Sequence, residues 1–259
     1  MIEEIAIQFQ DVSAKVSPQR GALVSSLIVS GWEVLYLDRQ TFVDPTKNVR
    51  GGIPVLFPFA GRLDDGVFQP AGTKMNQHGF GRNMSWQVVE RRPYLVRMVL
   101  PSGKETLAKY PYSFVAEQSC LIVPDGLQIE MLICNMDAKP MPVSPGWHPY
   151  FSCPADQKQD VTTHMPGWDA SRLTNDKEFD FGLAAPQNGR AAFKIPQLGT
   201  MELSFNPRMR HLQFWSQPDK DFVCIEPFTG PNNTINTAQR VDIPPGEART
   251  FCMRIEVLG

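Results

Sequence analysis

The sequence lacks the features that mark several large protein classes. Its five cysteines are an odd number without C-x-x-C spacing, which argues against a disulfide framework or a zinc site. No apolar run approaches the ~18 residues that can span a membrane. The first four residues, Met1-Ile-Glu-Glu, are acidic where a signal peptide is basic. We therefore expect a cytoplasmic protein in a reducing compartment, with no membrane partner.

An excess of one charge is also lacking. The formal net charge is −2, so electrostatics gives no reason to expect a nucleic acid partner or an anionic membrane. The chain has no G-x-S-x-G elbow for a nucleophilic serine and no Walker spacing for a phosphate loop. No H-E-x-x-H or other short metal-ligand spacing occurs. The sequence therefore predicts no metal and no cofactor.

Long helical patterns are absent, whereas strand patterns recur. The 23 prolines and 19 glycines are spread throughout the chain, which breaks long helices and suits strands joined by turns. Period-2 alternation of apolar residues predicts strands at 127–133, 201–205 and 251–257. We predict one short helical turn, from Lys104 to Lys109.

Turn signals and domain organisation complete the prediction of the fold. Pro124-Asp125-Gly126 and Pro244-Pro245-Gly246-Glu247 each predict a β-hairpin. No internal repeat and no shift in composition marks a linker. The sequence therefore predicts an all-β protein with few short helices, forming a single domain over residues 1–259 with antiparallel sheets packed face to face.

Glu226 is the most informative residue of the chain. It lies in an apolar, strand-like stretch that opens with Phe222 and Val223. A carboxylate inside such a strand is costly unless hydrogen bonds or a ligand offset the loss of water. Residues 213–217 are predicted to form a neighbouring strand and residues 230–233 a loop. We therefore expect Glu226 near a strand end, where a pocket can open.

Two histidines occupy similar settings. His148 lies among prolines and aromatic residues, and as a general acid it can donate a proton to a ligand oxygen near neutral pH. An adjacent carboxylate such as Glu226 would favour its protonated form. His78 is followed by a glycine, which lets backbone or ligand approach closely. The alternative for each is a structural histidine, and a zinc site of these three side chains is disfavoured by their spacing. His164 and His211 are predicted as surface or strand residues.

A partly buried, glycine-rich segment, 46–81, is predicted to help line a concave polar site. The polar residues that this region presents are Arg50, Arg62, Gln77, His78 and Arg82. The arginines can bind sugar hydroxyls or a phosphate. Alternatively, each pairs with a surface carboxylate such as Asp64, Asp65 or Glu90. Most of the five tryptophans are expected in the core, and one or two can form a stacking wall for a sugar ring.

Five segments in order together resemble the aldose 1-epimerase (galactose mutarotase-like) family, especially its branch related to hexose-6-phosphate mutarotases. The segments are Arg50-Gly-Gly-Ile-Pro-Val-Leu-Phe-Pro, Gly61-Arg62-Leu63, Gln77-His78-Gly79-Phe80 with Arg82-Asn83 and Trp86, Gly146-Trp-His-Pro-Tyr-Phe, and Cys224-Ile-Glu-Pro-Phe. Each is short, but their order is specific, and the resemblance covers nearly the whole chain. It implies an antiparallel β-supersandwich.

The resemblance also implies an activity and a set of roles. The expected protein is an isomerase that interconverts the α and β anomers of an aldohexose or a hexose 6-phosphate without a cofactor. His148 corresponds to the general acid and Glu226 to the general base. The implied substrate-binding residues are Arg50, Arg62, Gln77, His78, Arg82 and Asp180. We expect a monomer whose partner is a small sugar or sugar phosphate.

Two other functions stay open on the sequence. A non-catalytic carbohydrate-binding β-sandwich module would keep the concave site but would not accelerate anomer exchange. A purely structural or partner-binding β-domain would leave His148 and Glu226 more than ~10 Å apart, too far to serve one sugar ring.

Overall fold

The computed structural model of the chain describes residues 2–258; Met1 and Gly259, the two ends of the predicted domain, lie outside the described residues. The strands are β1 (Ile5–Phe9), β2 (Val12–Ser17), β3 (Leu23–Val29), β4 (Trp32–Glu33), β5 (Val55–Leu56), β6 (Val67–Phe68), β7 (Thr73–Lys74), β8 (Gln87–Arg92), β9 (Leu95–Pro101), β10 (Phe114–Val123), β11 (Gly126–Asn135), β12 (Met141–Val143), β13 (Gly146–Trp147), β14 (Tyr150–Ser152), β15 (Thr162–Thr163), β16 (Phe179–Ala184), β17 (Arg190–Ile195), β18 (Gly199–Phe205), β19 (His211–Ser216), β20 (Phe222–Phe228), β21 (Val241–Ile243) and β22 (Ala248–Leu258).

Helices are short. The α-helices are α1 (Arg39–Val43) and α2 (Lys104–Lys109), and α2 coincides with the predicted helical turn. Short 3₁₀ helices lie at Pro18–Arg20, Asp64–Gly66, Gly81–Asn83, Ala155–Asp160, Ala170–Arg172 and Thr234–Asn236. Within residues 2–258, no helix has the length and apolar character needed to cross a membrane.

Three antiparallel sheets contain most of the strands. An eight-stranded sheet has the order β15-β17-β18-β22-β11-β10-β9-β8, and a four-stranded sheet has the order β1-β2-β3-β4. A six-stranded sheet has the order β16-β19-β20-β13-β5, with β14 also paired to β20. The pairs β12-β21 and β6-β7 stand alone. The predicted all-β, antiparallel class is confirmed.

One of the two predicted hairpins is confirmed and the other is wrong. The turn at residues 124–126 joins β10 to β11, which pair along their whole length. The turn at 244–247 joins β21, which pairs with β12, to β22, which pairs with β11 and β18. Gly246 has a φ of +71°, so a turn does form at this position. The local sequence specifies a reversal of direction, but it does not specify which strands pair.

The six-stranded sheet has one face in the core and one face toward the functional cleft. On β20, Val223 and Ile225 are buried in the main core, whereas Cys224 and Glu226 lie on the opposite face because side chains alternate along a strand. All seven residues of β20 are buried. This strand therefore places a carboxylate in a desolvated setting without exposing its apolar face.

The pairing register aligns the cleft-facing residues of neighbouring strands in two rows. The first row, across β16, β19 and β20, consists of Gly182, Gln213 and Glu226. The second row, across β16, β19, β20 and β14, consists of Asp180, Trp215, Cys224 and Tyr150. Residues distant along the chain thus become neighbours on one surface.

The buried side chain of Gln118 links the eight-stranded sheet to the segment that carries His148. Its Oε1 accepts a 3.1 Å hydrogen bond from the indole N–H of Trp147, and its Nε2 donates to the carbonyl of Ala22 at 2.8 Å. A satisfied buried amide is tolerated, whereas an unpaired indole N–H would cost roughly 1–3 kcal/mol. The position of Trp147, and hence of the next residue, is therefore fixed from behind the cleft.

Candidate active site

A cleft on the outer face of the six-stranded sheet brings together all the site residues named from the sequence. These residues are Arg50, Arg62, Gln77, His78, Arg82, His148, Asp180 and Glu226. The cleft contains about 740 Å³ of empty space, part of which is open solvent. The glycine-rich segment that begins at residue 46 forms one wall, as the sequence predicted.

The catalytic pair predicted from the sequence is in direct contact. Nε2 of His148 lies 3.4 Å from Oε2 of Glu226, and the two residues are 5% and 1% exposed. The backbone N–H of His148 donates to the carbonyl of Pro54, and its ring stacks on Tyr150 with centroids 4.7 Å apart. Within residues 2–258, Nδ1 of His148 has no hydrogen-bond partner. The separation of more than ~10 Å that a purely structural domain would show is not observed.

Burial favours the neutral forms of both members of this pair. It raises the pKa of Glu226 well above its usual value, with a contribution from Asp180 that Arg82 opposes. It lowers the pKa of His148 well below its usual value, and the charges of Arg82 and Arg50 lower it further. Burial and the guanidinium charges therefore outweigh any effect of the Glu226 carboxylate on the pKa of His148.

His78 is held by the backbone in a single ring orientation. Its Nδ1 accepts a 3.0 Å hydrogen bond from the N–H of Gly61, and burial lowers its pKa well below the usual value, with Arg82 contributing. A neutral ring that accepts at Nδ1 carries its proton on Nε2. The following residue, Gly79, has a φ of +68°, and a Cβ there would lie 2.3 Å from the carbonyl oxygen of Phe57. The lack of a side chain at Gly79 therefore makes room for the backbone of Phe57 rather than for a ligand.

Arg62 and Asp180 form one side of the cleft. Nη2 of Arg62 lies 3.3 Å from Oδ2 of Asp180, and Oδ1 of Asp180 accepts a 2.5 Å hydrogen bond from Nε2 of Gln213. The surface carboxylate Asp64, which the sequence suggested as a partner for an arginine, is bound by Asn233. Both oxygens of Asp180 are thus held by donors that line the same cleft.

Arg50 and Arg82 have no carboxylate partner. Among residues 2–258, no acidic oxygen lies within 4.0 Å of either guanidinium. The guanidinium of Arg50 lies 5.2 Å from the ring centroid of Trp215. Arg82 donates to the carbonyl of Gln77 at 3.2 Å, its Nε has no partner, and burial lowers its pKa. The alternative that surface carboxylates neutralise these two arginines is wrong; Glu90 pairs with other arginines.

Sequence reasoning missed five polar residues that line the cleft, namely Asn48, Glu178, Gln213, Gln217 and Asn232. Gln213 was assigned only to a strand, yet it is the register partner of Glu226. Oδ1 of Asn232 accepts the backbone N–H of Arg62 at 2.8 Å. The signal for Asn232 was its place in the loop directly after the strand of Glu226. Gln213 became recognisable only with the strand register.

One group of side chains in residues 2–258 has three possible metal-ligand atoms close together. Donor atoms of His148, Cys224 and Glu226 lie within 4.8 Å of one another, so Cys224 takes the place that His78 had in the set considered from the sequence. Burial raises the pKa of the Cys224 thiol well above its usual value, with Glu226 contributing. Because a metal needs the thiolate and the carboxylate, these shifts oppose metal binding. The set fits proton transfer better.

Comparison with known proteins agrees with the fold and the motifs. A family model described as aldose 1-epimerase matches residues 3–256. The Slr1438 protein from Synechocystis sp. PCC 6803 superimposes with a TM-score of 0.92 at 30% identity, over 99% of this chain and 96% of that one. A galactose mutarotase-like protein from Lactobacillus casei ATCC 334 gives 0.80 at 22% identity, over 98% and 99% of the two chains, and shares the fold.

A plant relative matches only part of the chain. The protein from Cenchrus ciliaris named "Putative glucose-6-phosphate 1-epimerase" is 28% identical over 134 residues. The match covers 47% of this chain and 38% of the plant protein. The β-supersandwich implied by the sequence motifs is confirmed by the structural neighbours.

Proposed function

Because the chain belongs to the aldose 1-epimerase family, we propose that it interconverts the α and β anomers of a hexose 6-phosphate by acid–base catalysis. The observation that carries the proposal is the 3.4 Å separation between Nε2 of His148 and Oε2 of Glu226 inside the cleft. Two protonatable groups this close can act on neighbouring oxygens of one sugar ring. A binding module has no need of such a pair.

The reaction transfers two protons, one away from the C1 hydroxyl and one onto the ring oxygen. Glu226, as the carboxylate, removes the proton of the C1 hydroxyl while protonated His148 delivers a proton to the ring oxygen, and the bond between C1 and the ring oxygen breaks. The aldehyde rotates about C1–C2. Closure on the opposite face reverses both transfers, so the protein ends as it began. Each positioned group typically contributes roughly 10²–10⁴-fold to the rate.

The phosphate of the substrate helps to place the proton on His148. The pair needs one proton in total, and burial favours its place on Glu226 by raising the pKa of Glu226 and lowering that of His148. Arg82 and Arg50 disfavour an imidazolium at His148. A bound dianion would neutralise part of this positive charge and so favour the arrangement with a carboxylate at Glu226 and an imidazolium at His148.

His78, Arg62 and Asp180 supply the fixed polar environment. With Nδ1 occupied by Gly61, His78 has its Nε2–H available as a donor to a sugar oxygen. Arg62 adds a positive charge on the same cleft, and the two together stabilise negative charge that develops on the opening ring oxygen. Asp180, oriented from both sides, accepts hydrogen bonds from sugar hydroxyls.

Two guanidiniums without carboxylate partners support a phosphorylated substrate. Arg50 and Arg82 line the same cleft, and a partly desolvated cation without a counter-ion is costly. Arginine binds phosphate through paired, charge-assisted hydrogen bonds. The name of the plant relative, which specifies glucose 6-phosphate, points to the same substrate class. Gln77, whose carbonyl positions Arg82, lines this part of the cleft.

The test compares anomer exchange on three sugars, measured by exchange NMR above the uncatalysed background. Wild type is assayed with glucose 6-phosphate, glucose and galactose, beside Arg50→Ala, Arg82→Ala and the exposed control Arg208→Ala. Loss of charge-assisted hydrogen bonds should raise KM for glucose 6-phosphate about 10- to 100-fold. The control should match wild type.

The outcomes separate substrate from activity. Equal losses on phosphorylated and free sugars in Arg50→Ala and Arg82→Ala would overturn the phosphate assignment but leave the epimerase standing. Saturable binding of a sugar by wild type with no acceleration of exchange on any of the three would overturn the catalytic role and favour the carbohydrate-binding module.

A further inference from the structure

His211 lies beside the cleft, on the same face of β19 as Gln213, and is connected to the cleft by a chain of hydrogen bonds. Its Nε2 lies 2.8 Å from Oε1 of Gln213, and Gln213 in turn donates from Nε2 to Oδ1 of Asp180. The second oxygen of Asp180 contacts Arg62. Gln213, Asp180 and Arg62 line the cleft, whereas His211 is not among its lining residues. The hydrogen-bonded connection from His211 to the cleft therefore runs through Gln213.

The direction of the hydrogen bonds is fixed by Asp180. A carboxylate only accepts, so the amide of Gln213 must present its NH₂ group to Asp180 and its oxygen to His211. His211 must then donate, which places a proton on Nε2. Burial lowers the pKa of His211, and the hydrogen bond to Gln213 partly offsets this shift. The neutral Nε2–H form satisfies every partner in the chain.

Gly182 provides the space that the imidazole of His211 occupies. A Cβ on Gly182 would lie 2.1 Å from Cε1 and 2.3 Å from Nε2 of His211, distances that atoms in a protein do not adopt. The ring of Phe228 packs on His211, with centroids 6.1 Å apart and planes inclined by 28°. The imidazole ring therefore occupies the space left by Gly182, packs against Phe228 and makes one hydrogen bond.

We propose that His211 is a positioning residue for substrate binding, which holds the Gln213 amide so that Asp180 keeps the orientation it needs to accept from sugar hydroxyls. This inference rests on the proposed function only for the statement that Asp180 contacts a sugar. Without the His211 donor, the Gln213 amide is free to rotate, and Asp180 loses one of its two fixed donors. Binding should therefore weaken more than the chemical step.

The experiment uses three variants of the full chain. His211→Phe removes the donor but keeps an aromatic ring, His211→Gln keeps an N–H donor, and Gly182→Ala displaces the ring. Gly103→Ala is the control for adding a methyl group, because a Cβ at Gly103 would have no neighbouring atom within 4 Å. Anomer-exchange kinetics, thermal unfolding and the side-chain amide NMR signals of Gln213, assigned with Gln213→Asn, are measured for each.

His211→Phe and Gly182→Ala should raise KM about 3- to 10-fold, the loss expected for one hydrogen bond, with kcat changed less than about 2-fold. His211→Gln should restore most of the affinity. The two NH₂ signals of Gln213 should shift in His211→Phe and stay near their wild-type positions in His211→Gln and in the control.

Four results discriminate between the outcomes. A wild-type KM in a folded His211→Phe, or an equal loss in His211→Gln, would overturn the positioning role. Unchanged Gln213 signals in His211→Phe would overturn it as well, whatever the kinetics. If wild type does not accelerate anomer exchange but the Gln213 signals respond as expected, the proposed function fails and the positioning of Gln213 by His211 stands.

Discussion

The backbone N–H of Gly61 donates a 3.0 Å hydrogen bond to Nδ1 of His78. A main-chain donor thereby decides which nitrogen of the ring keeps its proton, and it leaves Nε2–H for a ligand. Any substitution except proline leaves this N–H in place, but it can move the N–H relative to His78. The conformation of Gly61 is therefore a property of the site as well as of the loop.

Gly61→Ala should lose both stability and activity. Gly61 has a φ of +83°, and its Cβ would lie 2.3 Å from Oδ1 of Asn232. The left-handed conformation alone costs an alanine roughly 1–2 kcal/mol, and displacing the backbone weakens the bond to His78 by about 1 kcal/mol more. Denaturant unfolding and kcat/KM measure the two effects.

Gly31→Ala is the matched control, because Gly31 has the same φ of +83° and nothing within 4 Å of its Cβ position. It should show the conformational cost without the loss of activity. Equal kcat/KM in the two variants would contradict a role for the Gly61 contact.

Glu226→Gln should abolish catalysis and stabilise the fold. The rate should fall by at least about 10²-fold, because an amide cannot act as the base. The folded-state pKa of Glu226 is raised, so between its unfolded and folded values the folded chain holds a proton that the unfolded chain has lost, and stability falls as pH rises. The variant escapes this penalty. Its advantage in unfolding free energy should be absent at acidic pH and grow as pH rises above the usual glutamate range.

Glu178→Gln is the control for this substitution, since Glu178 lines the cleft but is exposed. It removes the same charge without changing a buried group, so its stability should follow wild type at every pH. If the Glu226→Gln variant were no more stable than wild type at pH 8, burial would not be raising the pKa of Glu226 in the folded chain.

The pH dependence of kcat/KM should be bell-shaped. The active pair carries one proton: at low pH both His148 and Glu226 are protonated and no base is present, and at high pH neither can donate. Burial lowers the pKa of His148 and raises that of Glu226, so the acid limb lies below the usual histidine value and the alkaline limb above the usual glutamate value.

The profile is best measured on glucose as well as on glucose 6-phosphate, because a phosphate monoester titrates near pH 6. A glucose profile with no alkaline limb up to pH 10 would argue against Glu226 and His148 acting as a one-proton pair.

Chelation should leave the rate unchanged. The raised pKa values of Cys224 and Glu226 oppose the deprotonated donors that a metal requires. Overnight dialysis against EDTA, followed by the exchange assay with and without added Zn²⁺, measures this. Activity lost to EDTA and restored by Zn²⁺ would instead assign a metal role to His148, Cys224 and Glu226.

The sequence predicted the parts of the fold and site that local patterns determine. Alternation along 127–133 and 251–257 identified strands β11 and β22, and Glu226 stood out because a carboxylate inside an apolar strand is rare. His78 and His148 were recognisable from glycine, proline and aromatic neighbours. The roles of these residues, the single-domain organisation, the monomeric state and the cytoplasmic location stay predictions.

The features that the sequence could not predict are those that depend on which strands pair. The turn at 244–247 was mistaken for a hairpin because partners are chosen by the whole sheet. Gln213 and His211 gained significance only when the register set Gln213 beside Glu226 and left room at Gly182. The lowered pKa of His148 depends on Arg82 and Arg50, whose proximity no local pattern encodes.

Because side chains alternate along β20, Glu226 faces the cleft only when this strand pairs in its correct register. A shift of one residue in that strand would send Glu226 toward the aromatic interior and present Ile225 to the solvent side. Such a misaligned molecule could remain compact and rich in β-structure, yet it would lack the cleft in which we propose that a sugar binds. Recovery of the anomer-exchange activity proposed above, after dilution from denaturant, is therefore a more specific test of correct refolding than the return of the circular dichroism signal.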